Sequence, residues 1–173
     1  MPVKIPSSTP QRRKILLRVS RLMALAALTL SLSASHAQSK TFVKKYKPLV
    51  DSLSEVYGIP AAVILGISII ESSSGTSRNC KLLNNYFGIV GKNNLKKTKG
   101  IKTRYKQYAD AAASFEDFCK VISRKKFYKK LKGNTHYRIW LDSISKSGYS
   151  EAPTVWKQRI TGAIQMNRLS STP

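Results

Sequence analysis

Residues Tyr57–Ser77 read YGIPAAVILGISIIESSSGTS, and this stretch governs how the rest of the chain is read. From Pro60 to Ile70 it is apolar nearly all round, with a proline suited to a first helical position. A helix with no polar face has to be buried on every side, so the segment predicts a central helix covered by the rest of the molecule. The run ends at Glu71, followed by Ser72, Ser73, Ser74 and Gly75. A carboxylate there faces the negative end of the helix dipole, and partial burial beside Ile69 and Ile70 acts in the same direction. Both disfavour the charged form, as a general acid working near neutral pH requires. The same residues also allow an exposed glutamate at a helix end, or one paired with Arg78.

Working outward, apolar residues upstream fall at Phe42, Tyr46, Leu49, Val50, Leu53 and Tyr57. They form one face of a helix that Gly58 ends, with Pro48 either kinking it or marking its start. Downstream, Phe115, Phe118, Cys119 and Ile122 repeat a helical spacing, with Asp110 as a candidate cap. Tyr137, Trp140, Leu141 and Ile144 do the same up to Gly148. A last helix is expected from Pro153, burying Trp156, Ile160 and Ile164. Between Asn84 and Tyr108 the helical pattern fails. The segment Lys92–Lys106 (KNNLKKTKGIKTRYK) holds seven basic residues and no acid. It reads as a β-hairpin turning near Lys99-Gly100, with Ile101, Thr103 and Tyr105 on one side, or as a solvated loop. The expected architecture is mainly helical with one small β excursion.

The whole chain has 173 residues, a length that suits one domain, and 31 Lys+Arg against 8 Asp+Glu give it a net charge of +23. Its 42% hydrophobic content is too high for a disordered basic tail. Two cysteines and two histidines exclude a zinc ribbon or a multi-disulfide framework. Neither a Gly-rich phosphate loop nor a Ser/Cys–His nucleophile signature is present, so no metal and no cofactor are expected.

Residues 1–37 combine a basic head, the apolar run Leu22–Leu32 and the small-x-small site Ser35-His36-Ala37. That combination reads as a signal peptide. An uncleaved anchor is the other reading, although the run is shorter than a spanning helix needs. Cleavage after Ala37 leaves a catalytic domain over 38–173, periplasmic or secreted and without stable membrane insertion. Six of the 31 basic residues lie in the leader, leaving 25 against 8 acids, or +17. Export would place Cys80 and Cys119 in an oxidising compartment, where a disulfide between them is expected; two buried free thiols are the alternative.

Four motifs in fixed order carry a family resemblance. The stretch quoted above is followed by Asn84-Asn-Tyr-Phe-Gly-Ile89, then by Tyr108-Ala-Asp-Ala-Ala-Ala-Ser-Phe-Glu-Asp-Phe118 and by Gly148-Tyr-Ser-Glu-Ala-Pro153. Together they resemble the bacterial cell-wall glucosaminidases of glycoside hydrolase family 73, over roughly residues 41–169. The resemblance implies a lysozyme-like α+β fold, a helical body with a small β-hairpin lobe flanking a sugar-binding cleft. It implies that Glu71 is the catalytic general acid and that the second catalytic residue, Tyr149, faces the cleft near the reacting sugar. Ser72, Asn84, Asn85, Phe87 and Gly88 fall on the substrate-binding side of the same motifs. Turn formation is the other role open to the asparagines, and core packing the other role open to Phe87 and Trp140.

One departure stands out, because family members often carry a second acid on the β lobe and Lys92–Ala109 contains none. Asp110 and Glu151 are the nearest candidates for that part of the substrate site, each equally a helix-start acid. A sugar with a 2-acetamido group can supply its own nucleophile instead. The expected function is an exported, monomeric peptidoglycan hydrolase, an endo-β-N-acetylglucosaminidase cutting β-1,4 bonds, with glycan strands and anionic envelope polymers as partners. A lytic transglycosylase on the same polymer, or a non-catalytic cationic protein that holds polyanions, are the competing readings. Nucleic acid is not expected, since no nucleic-acid motif accompanies the charge.

Overall fold

The computed structural model describes residues 35–170, so the expected leader lies almost wholly outside the described residues, as does the end of the C-terminal tail. The chain divides into two units, Met1–Ala37 and Gln38–Pro173, and the second contains everything discussed below. It is built from helices. Within that unit α1 runs over residues 38–57, passing through Pro48, which is therefore interior to the helix and not its start. Gly58 ends it at φ +61. There follow α2 (Ala61–Ser72), the short α3 (Arg78–Leu83) and α4 (Leu95–Lys99), then α5 (Ala111–Ser123) and the one-turn α6 (Tyr128–Leu131). α7 (Tyr137–Ile144) passes into a π-type turn over Ser145–Tyr149, and α8 (Pro153–Met166) closes the chain.

α2 is the central helix that its composition demands. Every residue from Ala62 to Ile69 is buried, and Pro60 caps its start. It packs against α8 and α7. The α8 contact is close because of Gly66: a Cβ there would stand 2.6 Å from Ile164 Cγ1 and 3.1 Å from Ile160 Cγ2. That approach seats the Trp156-Ile160-Ile164 stripe of α8 on α2, with the predicted start at Pro153 observed. A second packing layer is aromatic. Phe87 stacks on Phe118 at 4.2 Å between ring centroids, and Tyr46 on Phe115 at 5.2 Å, which ties α1 and α5 to the segment after α3. Asp110 caps α5 as its position predicts, accepting the Ala113 backbone N–H at 2.8 Å.

Two expectations are corrected. No β-hairpin forms: among the described residues there is no strand, and a single antiparallel bridge joins Val90 to Tyr105. Backbone bonds join the arms only around that bridge, from Gly91 N–H to Arg104 O, Lys106 N–H to Ile89 O and Gln107 N–H to Lys92 O, and a side chain takes over beyond it. Asn93 Nδ2 donates to the carbonyls of Thr103 and Tyr105, and its Oδ1 accepts from the Leu95 N–H, leaving the lysines, which are good helix formers, to wind as α4. Leu95 anchors that turn by being buried, and Gly100 ends it at φ +68. Cys80 and Cys119 are both free and buried, not bridged. Cys80 sits beside Tyr86 and Lys45, whereas Cys119 lies in the core near Tyr57, Glu116 and Tyr128.

Candidate active site

Glu71 stands one residue before the end of α2, and the backbone beneath it is held firmly. Ser73 and Ser74 take left-handed φ values of 50° and 52°, and their N–H groups return to the carbonyls of Ile70 and Ile69. The Ser72 hydroxyl donates to Ser68 O at 2.6 Å and accepts from the Gly75 N–H at 2.8 Å. Ser72 is fully buried and so braces the turn instead of lining a substrate site.

The carboxyl group is half-buried and forms no ion pair among the described residues. Trp156 Nε1 donates to its Oε1 at 2.8 Å. Burial pushes its pKa up; the Trp156 hydrogen bond and the positive charge of Arg159 oppose that push without cancelling it. Asp117 and Asp142, by contrast, are held below the ordinary carboxylate value by hydrogen bonds from lysines.

The 84–89 segment forms the facing wall. Asn84 ends α3 in a left-handed conformation and donates to the carbonyls of Tyr108 and Ala109. Asn85 is buried and fully engaged: its amide donates to Ile89 O and Lys106 O, and its Oδ1 accepts from the N–H groups of Phe87 and Ile89. Both asparagines shape the loop, and Asn85 has no polar group left over for a sugar. The Phe87 ring is core. Gly88, at φ +67, brings the chain past the acid so closely that a Cβ there would be 3.6 Å from Glu71 Oε2.

Tyr149 enters from the π-type turn. Its hydroxyl donates to Phe87 O at 2.9 Å, and its ring lies 5.5 Å from Trp156 and 6.1 Å from Phe118. Burial, then the charge of Glu71, then Tyr108, raise its phenol well above the ordinary value, so it stays a neutral hydroxyl. Tyr108 in turn donates to Asp117 Oδ2 at 2.7 Å, and Lys106 Nζ reaches the same oxygen at 2.8 Å. The third motif is thus a strut that holds the basic segment against α5.

The structure therefore brings together Glu71, Gly88 and Tyr149, and adds Trp156 and Arg159, which the sequence reading had not placed there. Asp110 is an exposed helix cap, Glu151 is exposed, and neither is among the groups acting on Glu71. A groove of about 460 Å³ on the polar side of α8, lined by Arg138, Asp142, Thr154, Lys157 and Gln165, shares no residue with this site. Among the described residues, no three His, Cys, Asp or Glu side chains cluster as metal ligands would.

Residues 47–169 match the family model described as glucosaminidase, mannosyl-glycoprotein endo-beta-N-acetylglucosaminidase. No curated protein matches the sequence. Among solved structures, the catalytic domain of the autolysin Auto from Listeria monocytogenes is 21% identical, with a TM-score of 0.62 over 96% of this chain and 98% of that one. The glycoside hydrolase domain of Salmonella typhimurium FlgJ is 20% identical, with a TM-score of 0.59 over 75% and 88%. A peptidoglycan hydrolase mutant from Sphingomonas sp. A1 is 18% identical, with a TM-score of 0.59 over 75% and 95%. At these identities the likeness is one of fold.

Proposed function

The chain belongs to the glucosaminidase family of glycoside hydrolases, and we propose from that premise that it cleaves the β-1,4 glycan of peptidoglycan with Glu71 as general acid. The observation that carries the reading is the state of Glu71: a carboxyl held by burial toward its neutral form, beside a loop whose glycine puts no side chain against Oε2. A neutral carboxyl can protonate a glycosidic oxygen as the bond to it breaks. The cell-wall character of the four motifs, and the likeness in fold to an autolysin and a peptidoglycan hydrolase, support the choice of polymer.

No second carboxylate acts on Glu71, so we assign the second role to the substrate's own 2-acetamido group or to a water. We assign the orienting of that group to Tyr149, whose hydroxyl gives its proton to Phe87 O and keeps its oxygen free to accept from the acetamido N–H. We further propose that residues 1–37 direct export and that the domain acts in the periplasm or outside the cell. There the exposed Lys92, Lys96, Lys97, Lys99, Lys102 and Arg104 hold it on anionic envelope polymers.

Digestion of purified peptidoglycan, with mass analysis of the new chain ends, tests the reaction. Reducing N-acetylglucosamine ends are expected. Anhydro-sugar ends would make it a lytic transglycosylase, and adsorption without cleavage would leave only a cationic binding protein.

A further inference from the structure

The contacts of Glu71 fall on different oxygens. Oε1 accepts the Trp156 indole N–H at 2.8 Å, while Oε2 lies toward Gly88, where a Cβ would be 3.6 Å away. An indole N–H can only donate, so the oxygen it meets must act as an acceptor. In a neutral carboxyl the better acceptor is the carbonyl oxygen and the proton sits on the other one. We propose that Trp156 is a positioning residue that holds Oε1 as the acceptor and thereby fixes Oε2 as the oxygen that carries and delivers the proton. The inference rests on Glu71 being the general acid.

The surroundings favour this assignment. Trp156 is buried, packed on the Tyr149 ring, and seated by the close α2–α8 approach at Gly66, so its N–H direction is set by the core and not by a mobile surface. On the other side, Gly88 keeps Oε2 clear: its φ of +67 disfavours any other residue, and a side chain there would stand over the oxygen.

In the proton transfer, the Oε2–H bond breaks and a new O–H bond forms on the glycosidic oxygen. The bond from that oxygen to the anomeric carbon breaks, leaving its electron pair on the oxygen, and the 2-acetamido oxygen or a water bonds to that carbon in its place. Glu71 becomes a carboxylate, and the Trp156 hydrogen bond strengthens because its acceptor is now charged. Trp156 therefore favours the transition state over the ground state. Arg159 on α8 adds its positive charge; Tyr149 faces the acid as a neutral phenol; the loop contributes only Gly88.

The test is Trp156→Phe in the full chain, read as a pH profile. Losing a hydrogen bond to a developing charge should lower kcat by about 10- to 100-fold with little change in KM. The alkaline limb of kcat/KM should move to higher pH, because a donor that favoured the ionised acid is gone. A merely structural role would lower the rate without moving the limb. Independently of folding in the variant, the Trp156 indole resonance of ¹⁵N-labelled wild-type protein should follow one titration that vanishes in Glu71→Gln. The Trp140 indole, bonded to Asn134 O at 2.8 Å, serves as the internal reference. An unmoved limb, or a Trp156 resonance insensitive to pH in the wild type, overturns the proposal. If Trp156→Phe fails to fold, the indole titration decides alone. An active Glu71→Gln would instead overturn the reading on which the proposal rests.

Discussion

At the scale of the residue, the candidate acid carries a cost that can be measured. Glu71 holds its proton more tightly in the folded protein than in the unfolded chain, because burial disfavours the carboxylate. The native state is then favoured most below the unfolded pKa, and that advantage is lost as pH rises through the folded one. Glu71→Gln removes the titration, so it should raise Tm at neutral pH and flatten the loss of Tm between weakly acidic and neutral conditions. A Tm equal to the wild type with the same pH dependence would show that the site stores no such strain. How much of this was legible depended on the kind of signal. The position of Glu71 at the end of an apolar helix gave its burial and the direction of its shift. Trp156 gave only its burial, because a helical stripe tells which face is core and not which polar atom the indole N–H will find. Ser72 and the two asparagines lay in the right motifs, but their hydrogen bonds to backbone come from turns that no periodicity describes.

At the scale of the element, two contacts set the geometry. Gly66 lets α8 lie close on α2, so Gly66→Ala would force its new methyl against Ile164 and Ile160. Overpacking of this kind costs about 1–3 kcal/mol. A lowered Tm is expected, with a lowered kcat as Trp156 is pushed off Glu71, and Ile164→Ala in the same chain, which removes the atom at 2.6 Å, should recover part of the kcat. The second contact is Asp117. Burial raises its pKa, but hydrogen bonds from Lys106 and Tyr108 outweigh that and hold the carboxyl below its ordinary value. Its stabilisation is complete above the unfolded carboxylate pKa and is lost as pH falls through the folded one. Asp117→Asn should cost about 1.5–3 kcal/mol in chemical denaturation at neutral pH, the range for hydrogen bonds to a charged group. An unchanged midpoint would mean the strut contributes nothing. The long helices were readable because their apolar spacing is enforced by one core. The excursion over 92–106 was not, since alternation at Ile101, Thr103 and Tyr105 mimics a strand while the backbone pairing stops at a few bonds around Val90 and Tyr105, and Asn93, a single side chain, takes the carbonyls of Thr103 and Tyr105.

At the scale of the whole molecule, charge and scarcity of acids carry different meanings. The described basic segment presents its cations outward, with Lys106 alone paired to an acid among them. Adsorption to purified cell walls should therefore weaken steeply as ionic strength rises, since exposed charges are screened over about 10 Å at 0.1 M salt. Binding unchanged at high salt would contradict the electrostatic account. Scarcity bears on the chemistry. Asp51, Glu116, Asp117 and Asp142 are paired with lysines, Asp110 caps α5, and Glu55 and Glu151 are exposed, which leaves Glu71 as the acid whose surroundings suit proton transfer. The direct test is the rate of glycan cleavage by Glu71→Gln, set beside Asp110→Asn and Glu151→Gln. Loss of a general acid should reduce the rate by about 10²- to 10⁴-fold for Glu71→Gln, with the other two near wild type. A Glu71→Gln enzyme that keeps most of its activity while either of the others loses it would contradict the assignment.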